Sequence, residues 1–151
     1  MKKLTAIAAA FLLLFSTSSF AKEKKGKDEV VSKVKTAFAK DFAKASETTW
    51  NITNGFYIAR FTLNNTSTEA AYNGDGDLVG FSRRVKKDDL PLAVSMAIGK
   101  KYAGYQVAAI ADEVTYEKET SYYINVANER EQLKLKCSVH GDISVDRKIK
   151  D

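Results

Sequence analysis

Three residue types that staple, kink or chelate a chain occur once each here, as Cys137, Pro91 and His140. One cysteine excludes an internal disulfide. One cysteine with one histidine excludes the Cys/His sets of structural zinc sites, which use roughly three or four such ligands. Long apolar runs are also scarce. After the first fifteen residues, none approaches the roughly 20 needed to span a bilayer. Neither sign of charge dominates. The formal net charge of +5 falls to +3 once Lys2 and Lys3 are set aside, too mild for a nucleic-acid footprint. No GxSxG elbow and no phosphate loop occurs. These absences predict a non-enzyme with no catalytic, metal or cofactor-binding residue.

What is present begins with an export signal. Lys2 and Lys3 form a charged start, Leu4 to Phe15 an apolar run, and Ser19-Phe20-Ala21 a small-residue cleavage site. Residues 1–21 read as a bacterial signal peptide cut after Ala21, which places the mature protein in the periplasm or outside the cell. Residues 22–28, within "KEKKGKDE", read as a flexible charged leader. The rest, residues 29–151, is long enough for one domain with a real core. Cys137 alternates with apolar Leu133, Leu135 and Val139 and reads as a small core residue.

The stretch "AYNGDGDL" (Ala71 to Leu78) alternates carboxylates as a calcium loop does. A calcium loop of the EF-hand type needs glycine at its sixth position and glutamate at its twelfth. Counted from Asn73, those positions hold Leu78 and Arg84, so a hairpin turn is the better reading. The stretch has a second copy. "YNGDGDLVG" aligns with "CSVHGDISV" at a constant offset of 65, Gly76 falling on Gly141 and Leu78 on Ile143. The helical stripe Val34, Phe38, Phe42 aligns with Val94, Ile98, Tyr102 at an offset of 60. The chain therefore reads as a tandem repeat, about 29–87 and 88–151.

Each half reads as a helix followed by four antiparallel strands. The first helix is expected over about 29–45, then a short strand at Trp50. Asn54-Gly55 and "NNTST" (Asn64 to Thr68) mark hairpin turns. In the second half, Asp88 or Asp89 is expected to cap a helix with Pro91 in its first turn. Strands are expected near Val107–Glu117, Tyr122–Ala127, Gln132–Val139 and Ile143–Ile149. The predicted fold is α+β: one eight-stranded antiparallel sheet with two helices on one face.

This order resembles the PepSY-like family of secreted bacterial proteins, related in fold to beta-lactamase inhibitor proteins. The residues that carry the resemblance are Phe38 and Phe42, Trp50, Tyr57-x-Ala59-x-Phe61 and Ala70-x-Tyr72. Further along they are Gly76-Asp77-Leu78, Asp89-Leu90-Pro91 and Tyr102-x-Gly104. The resemblance covers nearly all of the mature chain. It implies the helix-plus-sheet repeat, export and no known catalysis. No residue here matches an inhibitor's contact set, so inhibition of a beta-lactamase is not carried over.

Function is sought on the sheet face left without a helix. Strand alternation assigns Phe56, Ile58, Arg60, Phe81, Arg83, Tyr123, Lys134 and Lys136 to it. Aromatic residues with arginine form the composition of protein-binding surfaces. The expectation is an exported binding module, an inhibitor or an accessory or sensor protein of the envelope. Its partner would be another exported or envelope protein, with no nucleic acid and no membrane span after signal cleavage. The alternative is a structural envelope protein acting by self-association. A carrier of an apolar ligand would need a cavity where Phe38, Phe42, Trp50, Phe61 and Tyr72 are expected to fill the space.

Overall fold

The computed structural model describes residues 30–149; the expected signal peptide, its cleavage site and the whole expected leader (22–28) lie outside them. A helix, α1 (Ser32–Asp41), precedes four strands: β1 (Ser46–Thr53), β2 (Phe56–Leu63), β3 (Thr66–Tyr72) and β4 (Leu78–Lys86). A short 3-10 turn (Lys87–Asp89) leads to α2 (Leu92–Lys101). Then follow β5 (Gln106–Tyr116), β6 (Glu119–Ala127), β7 (Gln132–Ser138) and β8 (Ile143–Ile149). The eight strands form one antiparallel sheet in the order β1 to β8.

Hairpin chemistry sets this meander. Asn54 and Gly55 both take positive φ (52° and 81°), as do Asn64 and Asn65 (49° and 60°), the backbone that a two-residue hairpin requires. Asn73 closes the next connection. Its Oδ1 accepts from the amides of Asp75 (3.0 Å) and Asp77 (2.9 Å), and its Nδ2 donates to Asp77 (2.9 Å). Ser138 does the same work at the β7–β8 turn, accepting from the amides of His140 and Asp142 and donating to Asp142 Oδ2 at 2.8 Å. In both turns a glycine with positive φ sits against a helix. A Cβ on Gly76 would lie 3.2 Å from the Lys33 carbonyl oxygen, and one on Gly141 2.7 Å from that of Ala93. Each turn thus fixes the start of the helix that precedes its strands.

Each helix is three turns long, too short to persist alone, and is held by the sheet. Val34 and Phe38 of α1 are buried with Ala59, Phe61, Ala70 and Tyr72. Phe38 meets Phe61 edge-on at 5.0 Å and Trp50 at 5.2 Å between ring centroids. The Tyr72 hydroxyl donates to Asp41 Oδ2 at 2.9 Å, tying the end of α1 to β3. Val94 and Ile98 of α2 are buried with Ile124, Val126, Leu135 and Cys137 in a second core. Both helices therefore cover the same face. α1 is shorter at both ends than the apolar stripe suggested. Neither Asp88 nor Asp89 caps α2, whose N-cap is Pro91 without a side-chain bond. The 3-10 turn and buried Leu90 deliver the chain to the helix instead.

Candidate functional site: the helix-free sheet face

The cross-strand register places the candidate residues. Tyr57, Ala59, Phe61 and Leu63 belong to the α1 core, so Phe56, Ile58 and Arg60 stand on the opposite face. Tyr122, Ile124 and Val126 belong to the α2 core, which puts Tyr123 on the helix-free face. There it pairs with Lys136, and Lys134 is the next residue of β7 on that side. Six of the eight expected residues thus share one face.

Phe81 and Arg83 do not, and this corrects the sequence reading. The β3–β4 register shifts, Tyr72 opposing Leu78 while Ala71 opposes Gly80. The extra residue, Val79, reverses the parity of the rest of β4. Phe81 therefore opposes Ala70 and packs against the α1 core. Arg83 opposes Glu113 on the helix side and forms a bidentate pair with it (2.8 and 3.2 Å). That hydrogen bond holds the guanidinium pKa above its ordinary value. The pair stands between the two apolar cores.

The bulge brings other residues to the helix-free face: Gly80, Ser82 and Arg84 from β4, with Asp112 and Val114 from β5. Ile58, Ala71, Val114 and Tyr123 form a buried apolar cluster there, with Phe56 packed against it. Around it lies a polar network. Glu69 is fully buried and accepts from Arg60 Nε at 2.6 Å. Lys134, also buried, reaches Asp112 Oδ2 at 3.4 Å. The ammonium groups of Lys134 and Lys136 lie 5.8 and 6.0 Å from the Tyr123 ring centroid, within cation–π reach. Desolvation raises the Glu69 pKa, while the Arg60 hydrogen bond and charge oppose the rise. Glu69 Oε2 and Ser82 Oγ, on directly opposed residues, have no hydrogen-bond partner. Buried polar atoms of this kind are uncommon in folded proteins.

Glu69, Ser82, Arg84 and Val114 were missed from the sequence. Glu69 was within reach, because it alternates with Ala70 on a strand already assigned. An acidic residue facing outward reads as solvated until its neighbours are known. Elsewhere the chemistry is sparse. His140 is exposed in the β7–β8 turn. Cys137 is buried, and desolvation pushes its thiol up to about 11. Among the described residues, no three His, Cys, Asp or Glu side chains cluster to hold a metal ion. No described helix is long and apolar enough to cross a membrane.

The geometry defines a class: one eight-stranded antiparallel sheet with two helices on one side and a polar–apolar floor on the other. Solved structures share it. A BLIP-like protein from Bacteroides fragilis superposes with a TM-score of 0.72 at 17% identity, covering 83% of this chain and 91% of that one. A candidate periplasmic protein from Bacteroides eggerthii gives 0.68 at 19% identity, covering 80% and 88%. A DUF2874 family protein from Bacteroides uniformis gives 0.68 at 21%, covering 80% and 89%. The chain has the BLIP-like fold. No protein-family model and no curated protein matches it.

Proposed function

We propose that the protein is an exported, non-enzymatic binding module of the bacterial envelope, whose helix-free sheet face receives another exported or envelope protein. One observation carries this reading. Phe56 stands partly exposed beside the cluster of Ile58, Ala71, Val114 and Tyr123, on a face that none of the described helices covers. Exposed Arg60 lies further along the same strand, and exposed Arg84 and Lys136 stand on the same face on β4 and β7. An aromatic residue beside arginine on an uncovered face fits the anchor-and-rim anatomy of interfaces. The likeness to a candidate periplasmic protein and the N-terminal signal pattern support export, with residues 1–21 removed. An inhibitor and an accessory or sensor protein both fit a role without chemistry.

We further propose that the two halves arose by duplication and that the chain is a PepSY-like protein. The matching hydrogen bonds of the Asn73 and Ser138 turns and the matching seats of Gly76 and Gly141 support this.

Affinity capture from envelope extract tests the function, with the mature protein as bait. Phe56→Ala should lose a captured protein that wild type and the α2 variant Lys100→Ala retain, and the purified pair should bind. Loss with Lys100→Ala alone would move binding to the helices. Concentration-dependent light scattering with no capture would favour the self-associating alternative.

A further inference from the structure

The charges of the helix-free face are sorted by height. Its central carboxylates are sunk: the Glu69 side chain is 0% exposed and that of Asp112 16%. Three of its cations rise, the Arg60 side chain being 52% exposed and Arg84 and Lys136 exposed as well, while Lys134 stays sunk at 7% beside Asp112. Three exposed carboxylates mark the margins: Glu47 on edge strand β1, which accepts from Thr62 Oγ1 at 3.0 Å, Glu119 at the β5–β6 turn and Asp146 on edge strand β8. A molecule approaching the middle of the face therefore meets positive charge, although acids and bases nearly balance by count. The apolar floor is already covered, with Ile58, Val114 and Tyr123 at 5–7% exposure. Little further apolar burial is available there, so charge must do most of the discriminating.

The spacing of the cations is set by the register. Arg84 opposes Asp112, Asp112 opposes Tyr123, and Tyr123 opposes Lys136. Arg84 and Lys136 are thus three strand spacings apart along one row, roughly 14 Å at about 4.8 Å each. In an extended peptide, residues four apart point the same way and lie roughly 13 Å apart, at about 3.3 Å per residue. Resting on the binding role of this face, we propose that it recognises an acidic extended segment of its partner. The segment's carboxylates stand four residues apart and lie across β4 to β7 over Arg84 and Lys136. Arg84 is already engaged within the fold. Its guanidinium has five N–H donors, so an incoming carboxylate joins its present partner and does not have to displace it.

The test is a titration of the isotope-labelled mature protein, followed by NMR, with three synthetic peptides. One has the pattern Glu-Ser-Leu-Ser-Glu, one replaces both glutamates with lysine, and one sets the glutamates two residues apart. The first should shift the Arg84, Tyr123 and Lys136 amides at low salt and bind more tightly than the other two. Arg84→Glu or Lys136→Glu should weaken it at least tenfold, with the far-ultraviolet circular dichroism unchanged. Binding should fade as salt rises past about 0.1 M, where the screening length is about 10 Å. Equal binding by the lysine peptide, no binding by any peptide, or charge reversals without effect would overturn the proposal. The broader reading fails separately. A captured partner sensitive to Phe56→Ala but indifferent to Arg84→Glu and Lys136→Glu keeps the binding face and discards the acidic segment. No variant-sensitive capture discards both.

Discussion

Arg60→Ala removes the cation that serves the buried carboxyl of Glu69, and its cost should depend on pH. Arg60 Nε donates to Glu69 Oε1 at 2.6 Å, while Oε2 has no hydrogen-bond partner. Burial already raises the Glu69 pKa, and the Arg60 hydrogen bond and charge are the largest opposing causes. Deleting them raises the folded-state pKa further. The unfolded carboxyl titrates near its ordinary 4.5. Between those two values the folded state holds a proton that the unfolded chain has lost, so stability falls as pH rises. Below the unfolded value the loss is absent. Removing one partner of a buried pair costs about 3–5 kcal/mol. Arg60 is half exposed and water reaches its side of the pair, so about 2–3 kcal/mol is expected at pH 7. At about 1–3 kcal/mol per molar urea for the slope, the midpoint should drop by about 0.7–3 M. Near pH 4 the gap between variant and wild type should nearly close. Glu69→Gln in the Arg60→Ala background should remove the pH dependence. Equal destabilisation at both pH values, or less than about 0.5 kcal/mol at pH 7, would refute the role given to this pair.

Three further outcomes follow from the packing. Phe61→Ala should cost about 3–5 kcal/mol by urea denaturation, because the ring is buried and touches Phe38 and Phe42 at 5.0 and 4.8 Å; with about 5–15 kcal/mol in total, the variant should be poorly folded. Gly141→Ala should lower the melting temperature, at a cost of about 1–3 kcal/mol for strained backbone, because its Cβ would press on the Ala93 carbonyl; Gly74→Ala, with nothing within 4 Å, should be mild. Cys137, buried with its thiol pushed up to about 11, should resist iodoacetamide at pH 8 in the native protein and react only on unfolding.

The meander and the two helices were legible in the sequence because their signals are local. Asn54-Gly55 and Asn64-Asn65 adopt the positive φ that their residue types suggest, and the Val34–Phe38 and Val94–Ile98 stripes are the buried faces of α1 and α2. The parity of β4 was not legible. Leu78-Val79-Gly80 does not reveal which residue is extra, and the second half misleads as a guide. There the shift falls later, between Leu135 opposite Val145 and Lys134 opposite Arg147. That offset explains why Phe81 and Arg83 were placed on the wrong side while Phe56, Ile58 and Arg60 were not. The burial of Glu69 was hidden for a related reason. It depends on Arg60 one strand away and on side chains of β4 and β5, which only the register brings together.

The central claim is that the helix-free face binds, and the affinity of the purified mature protein for a captured envelope protein tests it most directly. Variants from the two sides should be compared by calorimetry. Phe56→Ala should weaken binding by more than tenfold, about 1.4 kcal/mol or more, with its far-ultraviolet circular dichroism unchanged. Met96→Ala, which truncates a 65% exposed side chain on the outer side of α2, should bind as wild type does. Unchanged affinity for Phe56→Ala together with a loss for Met96→Ala would contradict the account and place recognition on the helices.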